Sequence, residues 1–349
     1  MTDLRSLKLA EIAHLCAGLG WEKYRAQQLF AWLWQKGAVS FEEMTNLGKD
    51  KRGLLARDYT IGCIEPERVL QDDDGTTKFT FGLGDGAAVE SVFIPDRDRR
   101  TVCVSTQAGC RLGCRFCYTA QLGFRRDLTW HEIASQVLAV RRHVQSPALG
   151  APPAPGPITN VVFMGMGEPM LNYDAVIEAI GVINHEQGLG IGARHITVST
   201  AGIPDGIRAY ARYPLQTRLA VSLNASDDET RSRIMPVNRM HPLSELMSAI
   251  REFVAVKDKR VTFEYVLLDD INNRERDVGQ LARLLKDIQC KLNLIPLNPF
   301  PGCEFKAPPA DAVEVFARRL WPLLPAVTVR KSKGARILAG CGQLAGSVA

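Results

Sequence analysis

Three cysteines crowd into eight residues of this chain, Cys110-Arg-Leu-Gly-Cys114-Arg-Phe-Cys117, in the spacing C-x₃-C-x₂-C, and no fourth partner is evident. Thiolates are the soft ligands of iron–sulfur clusters. Structural zinc prefers four ligands in two separated pairs. A [4Fe–4S] cube has four irons, so three cysteines leave one iron open to a small molecule that can bind there and be reduced. The spacing predicts one [4Fe–4S] cluster held by Cys110, Cys114 and Cys117.

The other residues that could do chemistry are small polar groups, each following a run of strand character. Met164-Gly165-Met166-Gly167-Glu168-Pro169 follows VVF. Its glycines let a backbone approach a ligand, and Glu168 suits an ammonium group. S-adenosylmethionine fits both features, because its amino and carboxylate groups can chelate an open iron. Ser199, then Ser222-Leu223-Asn224, then Asn298 follow later strands. Each suits a hydrogen bond to a ribose, carboxylate or adenine, and each alone would equally cap a turn.

These residues require a scaffold. From Thr101 onward strand-like and helix-like runs alternate: TVCVST, LTWHEIASQVLAVRRHV behind Thr129, NVVFMG, a helix from Tyr173, HITVST, TRLAVSL, RVTFEYVLL, KLNLIPL and VTVRKS. About six βα units imply a parallel sheet with helices outside, either curled as a partial or full barrel or open and doubly wound. In both cases ligands sit at the carboxyl ends of strands, where every candidate lies. Residues 1–60 read as a small helical domain with the aromatic run YRAQQLFAWLWQKG. Residues 61–95 read as a linking hairpin (TTKFTFGL, AVESVFIP), 96–330 as the catalytic unit and 331–349 as a C-terminal tail. The Pro/Ala/Gly-rich stretch 146–159 reads as a surface loop.

The 349 residues are 46% hydrophobic and 23% charged, ordinary for a globular protein. No signal-peptide layout or membrane span is evident, so the expected location is the cytoplasm, where clustered cysteines mean metal or catalysis and not a disulfide scaffold. The net charge is +5. Arg99, Arg100, Arg111, Arg115, Arg125 and Arg126 form an acid-free run around the triad, and Arg330, Lys331, Lys333 and Arg336 form a second. Such runs are either solvated faces or a grip for a polyanion. Arg25, Lys49, Lys51 and Arg52 of the helical domain are further candidates for phosphate contacts.

CVSTQAGCRLGCRFCYTAQLGFRRDLT, VVFMGMGEPMLNYDAV, VSTAG, SLNA, LIPLNPFPG and Gly340-Cys341-Gly342-Gln343-Leu344 together resemble RlmN-type radical-SAM RNA methyltransferases of the RlmN/Cfr family, over nearly the whole chain. The resemblance implies a partial (β/α)6 TIM-like radical-SAM barrel. It implies methylation of adenine C2, at adenosine 2503 of 23S ribosomal RNA and adenosine 37 of tRNA; the alternative is Cfr-type C8 methylation of the same ribosomal adenosine. It further implies two S-adenosylmethionine molecules per turnover, one methylating Cys341 and one cleaved to a 5′-deoxyadenosyl radical, with an S-methylcysteine intermediate on Cys341. Cys103 is then the resolving thiol, leaving a disulfide to be reduced, and Glu90 the proton acceptor. By residue type alone Cys341 would be a free thiol and Cys103 core. The implied cofactor contacts are Gly167, Glu168, Ser199, Ser222, Leu223, Asn224 and Asn298. The implied partners are 23S rRNA, tRNA and an electron donor such as flavodoxin or ferredoxin, with the protein a monomer and no membrane partner. Extrusion of the target nucleotide from its stack is required for C2 to reach Cys341. The chain departs from the family pattern at Tyr118, Asn224, Ala335 and Arg336.

Overall fold

The structure is a computed structural model and describes residues 1–145 and 156–346. Most of the proline-rich stretch therefore lies outside the described residues.

The N-terminal unit begins with a short strand, β1 (Thr2–Asp3), followed by α1 (Leu9–Gly18), α2 (Tyr24–Phe30) with a π-helical turn over Ala31–Gln35, α3 (Lys49–Asp58) and β2 (Tyr59–Thr60), which pairs in parallel with β1. Leu4, Ile12, Leu29, Leu33, Trp34 and Leu55 are fully buried. Arg5 is buried with them, its guanidinium donating to the carbonyls of Leu33 (3.3 Å), Ala38 (2.6 Å) and Gly62. A charge buried this deeply is tolerated because its donors are all directed at acceptors. The aromatic run is divided: Phe30 and Trp34 are core, while Tyr24 is 48% exposed and Trp32 half-buried.

Three antiparallel strands follow: β3 (Pro66–Gln71), β4 (Thr77–Gly82) and β5 (Ala88–Asp96). Then come β6 (Arg99–Cys103), β7 (Gln107–Gly109), α4 (Tyr118–Gln121), β8 (Phe124–Asp127), α5 (Trp130–Gln145), β9 (Asn160–Phe163) and α6 (Tyr173–Asn184). The chain continues through β10 (Ile196–Thr200), α7 (Pro204–Arg212), β11 (Arg218–Ser222), α8 (Asp228–Ile234), α9 (Leu243–Lys257) and β12 (Val261–Leu267). It ends with α10 (Glu275–Leu284), β13 (Cys290–Pro296), α11 (Ala310–Leu320) and β14 (Val327–Val329).

The main sheet has ten strands in the order β14-β13-β12-β11-β10-β9-β6-β5-β4-β3. From β6 to β14 the pairing is parallel and strictly sequential. A sequential order winds one way and has no switch point, which decides the alternative left open by the sequence: six βα units curl as a partial barrel instead of forming a doubly wound sheet. Phe163, Val198, Val221, Phe263 and Leu292 are fully buried or nearly so, as strands covered by crossover helices must be.

The expected hairpin is present as β4 and β5. A third strand, β3, precedes it, and Val92 of β5 registers with Cys103 of β6, so the antiparallel set extends the barrel sheet. PERVLQ is too polar to signal a strand; it sits at the sheet edge, where polar residues discourage further pairing. Arg141 of α5 donates to the carbonyls of Trp34 (2.6 Å) and Gln35 (2.9 Å), seating the N-terminal unit on the barrel.

Candidate active site

The cysteine loop leaves β7, and β8 returns antiparallel to it. At the loop's base Gly109 has φ +79°, and a methyl there would lie 1.8 Å from the Gly123 carbonyl oxygen. Gly109→Ala is therefore expected to destabilise the protein by about 2 kcal/mol or more and to lower bound iron. Urea midpoints together with iron analysis check this. Arg115 N donates to the Ile234 carbonyl (3.0 Å) and Cys117 N to the Cys114 carbonyl (3.1 Å), fixing the loop against the barrel rim.

Cys110, Cys114 and Cys117 face one cleft, walled by Leu112, Phe116, Met164 and Met235. Burial pushes the Cys110 thiol up to about 12 and the Cys114 and Cys117 thiols upward as well, with the neighbouring sulfurs adding to the shift. Three half-buried thiols set side by side resist ionising together unless a metal centre supplies positive charge. Among the described residues no three His, Cys, Asp or Glu side chains converge on a single metal ion. A cube that presents irons at separate corners suits three spaced thiols better than one ion does. The donor set therefore fits a [4Fe–4S] cluster with one open iron.

Gly167, Glu168, Ser199, Ser222 and Asn224 line the same cleft, on the ends of successive strands. Gly167 has φ +98°, and a methyl there would lie 2.5 Å from Cβ of Gln107, so only glycine permits this approach. Glu168 is buried, which raises its carboxyl's pKa, and it accepts from Ala201 N (2.7 Å) and Met170 N (3.0 Å). Those two donors favour the ionised form. Asn224 has φ +56°, a conformation that asparagine tolerates. Its Oδ1 accepts from Val266 N (2.8 Å) and its carbonyl from Asn272 Nδ2 (2.8 Å).

Two expected contacts lie elsewhere. The Leu223 side chain is fully buried core, with its N–H on the Glu264 carbonyl (2.9 Å). Asn298 lines a second, smaller cavity and donates to the Cys341 carbonyl (3.3 Å). It holds the tail, a role hidden in sequence because the tail is remote.

That second cavity contains Cys103 and Cys341 together. Cys341 also lines the main cleft with the triad. The tail that carries it is pinned at several points: Tyr118 N to the Gly342 carbonyl (2.7 Å), Thr119 Oγ1 to the Leu344 carbonyl (2.7 Å) and Gln343 Nε2 to the Pro299 carbonyl (2.6 Å). Glu90 is buried and turned toward the tail: it pairs with Lys78 (3.1 Å) and accepts from Ala345 N (2.9 Å). It is not among the residues that line either of these two cavities. Burial pushes the Cys103 thiol up to about 12. All nine cysteines are free thiols.

Sequence reasoning missed three contributors. Arg330, read as part of a basic patch, lies just beyond β14 on both cavities, with Nη1 3.5 Å from Cys341 Sγ. Glu264, on the neighbouring wall, has its carboxyl's pKa raised by burial. Arg231, fully buried beneath the cleft, joins the carbonyls of Ala201 (2.6 Å), Ser222 (3.2 Å) and Leu223 (3.0 Å). Nothing in DETRSRI marks it as other than a solvent-facing helix. The arginine run is largely satisfied within the fold. Arg126 pairs with Asp85 (2.6 Å) and Glu132 (2.8 Å), Arg115 with Glu304, and Arg111 lies 3.8 Å over the Phe124 ring. Tyr118 stacks on Phe300 with ring centroids 5.1 Å apart, and Arg336 pairs with Asp73.

A curled sequential sheet with a three-cysteine loop after its first parallel strand defines a radical SAM enzyme, and residues 104–282 match the model of the Radical SAM superfamily. Residues 2–61 match the ribosomal RNA large subunit methyltransferase N-terminal domain. The dual-specificity RNA methyltransferase RlmN of Pelobacter propionicus is 46% identical over 99% of this chain and 96% of its own length. That of Geobacter sulfurreducens is 45% identical over 100% and 93%. The crystal structure of a radical SAM methyltransferase from Sphaerobacter thermophilus superimposes with a TM-score of 0.93 at 41% identity, covering 99% of this chain and 100% of that one. The chain belongs to the RlmN family of dual-specificity RNA methyltransferases.

Proposed function

We propose that this chain methylates C2 of adenine in RNA, in both 23S rRNA and tRNA, with Cys341 as the methyl carrier. The observation that carries this reading is the position of Cys341, on one cleft with the triad and on one cavity with Cys103. A [4Fe–4S] cluster on Cys110, Cys114 and Cys117 would supply the electron for reductive cleavage of S-adenosylmethionine, the radical chemistry that an electron-poor carbon requires.

The chain's own residues bind, orient and resolve. Glu168 and the Gly167 backbone receive the amino group of S-adenosylmethionine, and Ser199 and Ser222 its polar oxygens. Leu112, Phe116, Met164 and Met235 keep water out. The Cys341 sulfur, its proton lost, attacks the methyl carbon of one S-adenosylmethionine, displacing S-adenosylhomocysteine and becoming a methyl thioether; a second molecule is consumed in each turnover. Once the carried carbon is bonded to adenine, the Cys103 sulfur attacks the Cys341 sulfur. The sulfur–carbon bond to the product breaks, its electron pair passes to the product, which takes a proton, and a disulfide forms. Two electrons from a donor such as flavodoxin or ferredoxin restore the thiols.

RNA is gripped by the N-terminal unit of a monomer. Lys36 lies 3.7 Å over the Trp32 ring, and Lys51 4.9 Å over Trp21. Lys36 and Lys49 are exposed. Lys36→Ala with Lys49→Ala is expected to weaken binding to all RNA sequences alike. It should lower the slope of log K against log salt by about 1.5, as two lost phosphate contacts would. Filter binding across a salt series measures both.

The deciding experiment is anaerobic reconstitution, incubation with 23S and tRNA fragments, and identification of the methylated carbon against standards by mass spectrometry. 2-Methyladenosine from both RNAs supports the reading; 8-methyladenosine overturns it. No helix among the described residues is long and apolar enough to cross a membrane.

A further inference from the structure

We propose that the buried Lys78–Glu90 ion pair positions Cys341 by clasping both arms of the loop that carries it. This rests on the reading of Cys341 as methyl carrier.

Lys78 on β4 and Glu90 on β5 stand diagonally on adjacent antiparallel strands, where Lys78 registers with Val92 and Thr80 with Glu90. Their side chains are 9% and 3% exposed, with Nζ 3.1 Å from Oε1. Thr80 Oγ1 also donates to Oε1 (3.4 Å). Each charge also makes one hydrogen bond to the tail. Lys78 Nζ donates to the Leu338 carbonyl (3.4 Å), three residues before Cys341. Glu90 Oε2 accepts from Ala345 N (2.9 Å), four residues after it. Leu338 has φ +51°, a conformation that a leucine adopts only when held there. The loop between the two arms is drawn in by Gly340 N on Gln343 Oε1 (2.9 Å) and by Asn298 on the Cys341 carbonyl.

Burying a lysine and a glutamate costs free energy that mutual attraction repays only when their other groups are also satisfied. Here the satisfaction comes from the tail. With the tail lifted, each charge loses a partner, so the pair favours the docked loop. Such a pair specifies geometry more than it stabilises. Both Glu90 oxygens serve the clasp, which makes Glu90 a positioning residue.

The test compares wild type with Glu90→Gln and with the double variant K78M/E90L, which leaves no unpaired buried charge. Each is purified without RNA or S-adenosylmethionine, after circular dichroism and thermal melting confirm folding. Two rates are measured: tryptic cleavage after Arg336, and iodoacetamide alkylation of Cys341 relative to the exposed Cys63. In K78M/E90L both rates should rise about tenfold. In Glu90→Gln, whose amide oxygen still accepts from Ala345, the rise should be smaller. Unchanged rates in the folded double variant overturn the clasp. So does a Glu90→Gln protein that keeps full wild-type tail protection and loses only RNA product, since that behaviour belongs to a proton acceptor. The underlying reading is judged separately. If wild-type Cys341 gains no methyl from S-adenosylmethionine while the double variant still frees the tail, the clasp stands and the methyl carrier does not.

Discussion

Cys341→Ala is expected to abolish adenine methylation while leaving the fold, bound iron and RNA affinity unchanged. The loss should be on the order of 10³-fold or more, the scale on which removing a covalent nucleophile acts. The argument is geometric. Cys341 occupies a tail held at many backbone points, and few of those bonds use its side chain, which meets Arg330 Nη1 at 3.5 Å. Alanine therefore keeps the docked loop and removes only the sulfur. Product analysis, iron content and filter binding on one preparation separate these effects. Retained methylation in this variant would sink the proposed mechanism. Cys103→Ala is the complement: methyl uptake on Cys341 continues, and a covalent protein–RNA adduct accumulates because nothing attacks the Cys341 sulfur. Denaturing gels would show it.

Replacing Cys114 by serine should remove both iron and activity. Cys114 is half-buried, and burial raises its thiol's pKa with the triad partners, Arg231 and Glu168 as its titratable neighbours. A serine hydroxyl is a hard, weak ligand that stays protonated there. Two thiols cannot hold a cube at three corners, so iron per chain should fall to background. Iron analysis, and a melt in which the wild type loses stability on chelation and the variant does not, check this outcome. Normal iron content in Cys114→Ser would show that the triad is not the ligand set.

Local features were legible in the sequence because local chemistry determines them. The triad announces a metal centre by residue type and spacing, and Gly167-Glu168, Ser199 and Ser222 gain meaning only together with it, as each falls just after a strand. The alternation of elements announced a parallel sheet. The features that the sequence leaves hidden depend on distant partners. Arg330 looked like a surface charge because Cys341 and Glu264 approach it only when the sheet curls. The arginine run looked free because Asp85 and Glu304 approach it from other strands and loops. Leu223 lies one residue from two cleft residues, and strand alternation sends it into the core. Asn298 and Glu90 serve the tail, and nothing near either of them in the chain says so. The departures at Ala335 and Arg336 have a partner in Asp72-Asp73-Asp74, where Arg336 and Gly334 N dock.

The strand order has one more consequence, in the timing of assembly. The parallel sheet opens between β14 and the antiparallel extension, and the tail crosses that gap to reach β4 and β5. Its anchoring bonds join residues 255 and 260 positions apart. Contacts so remote are the slowest to form, because the loop they close is the longest. The barrel and its cysteine loop are therefore expected to form before Cys341 is placed, so that the cleft is completed late in folding.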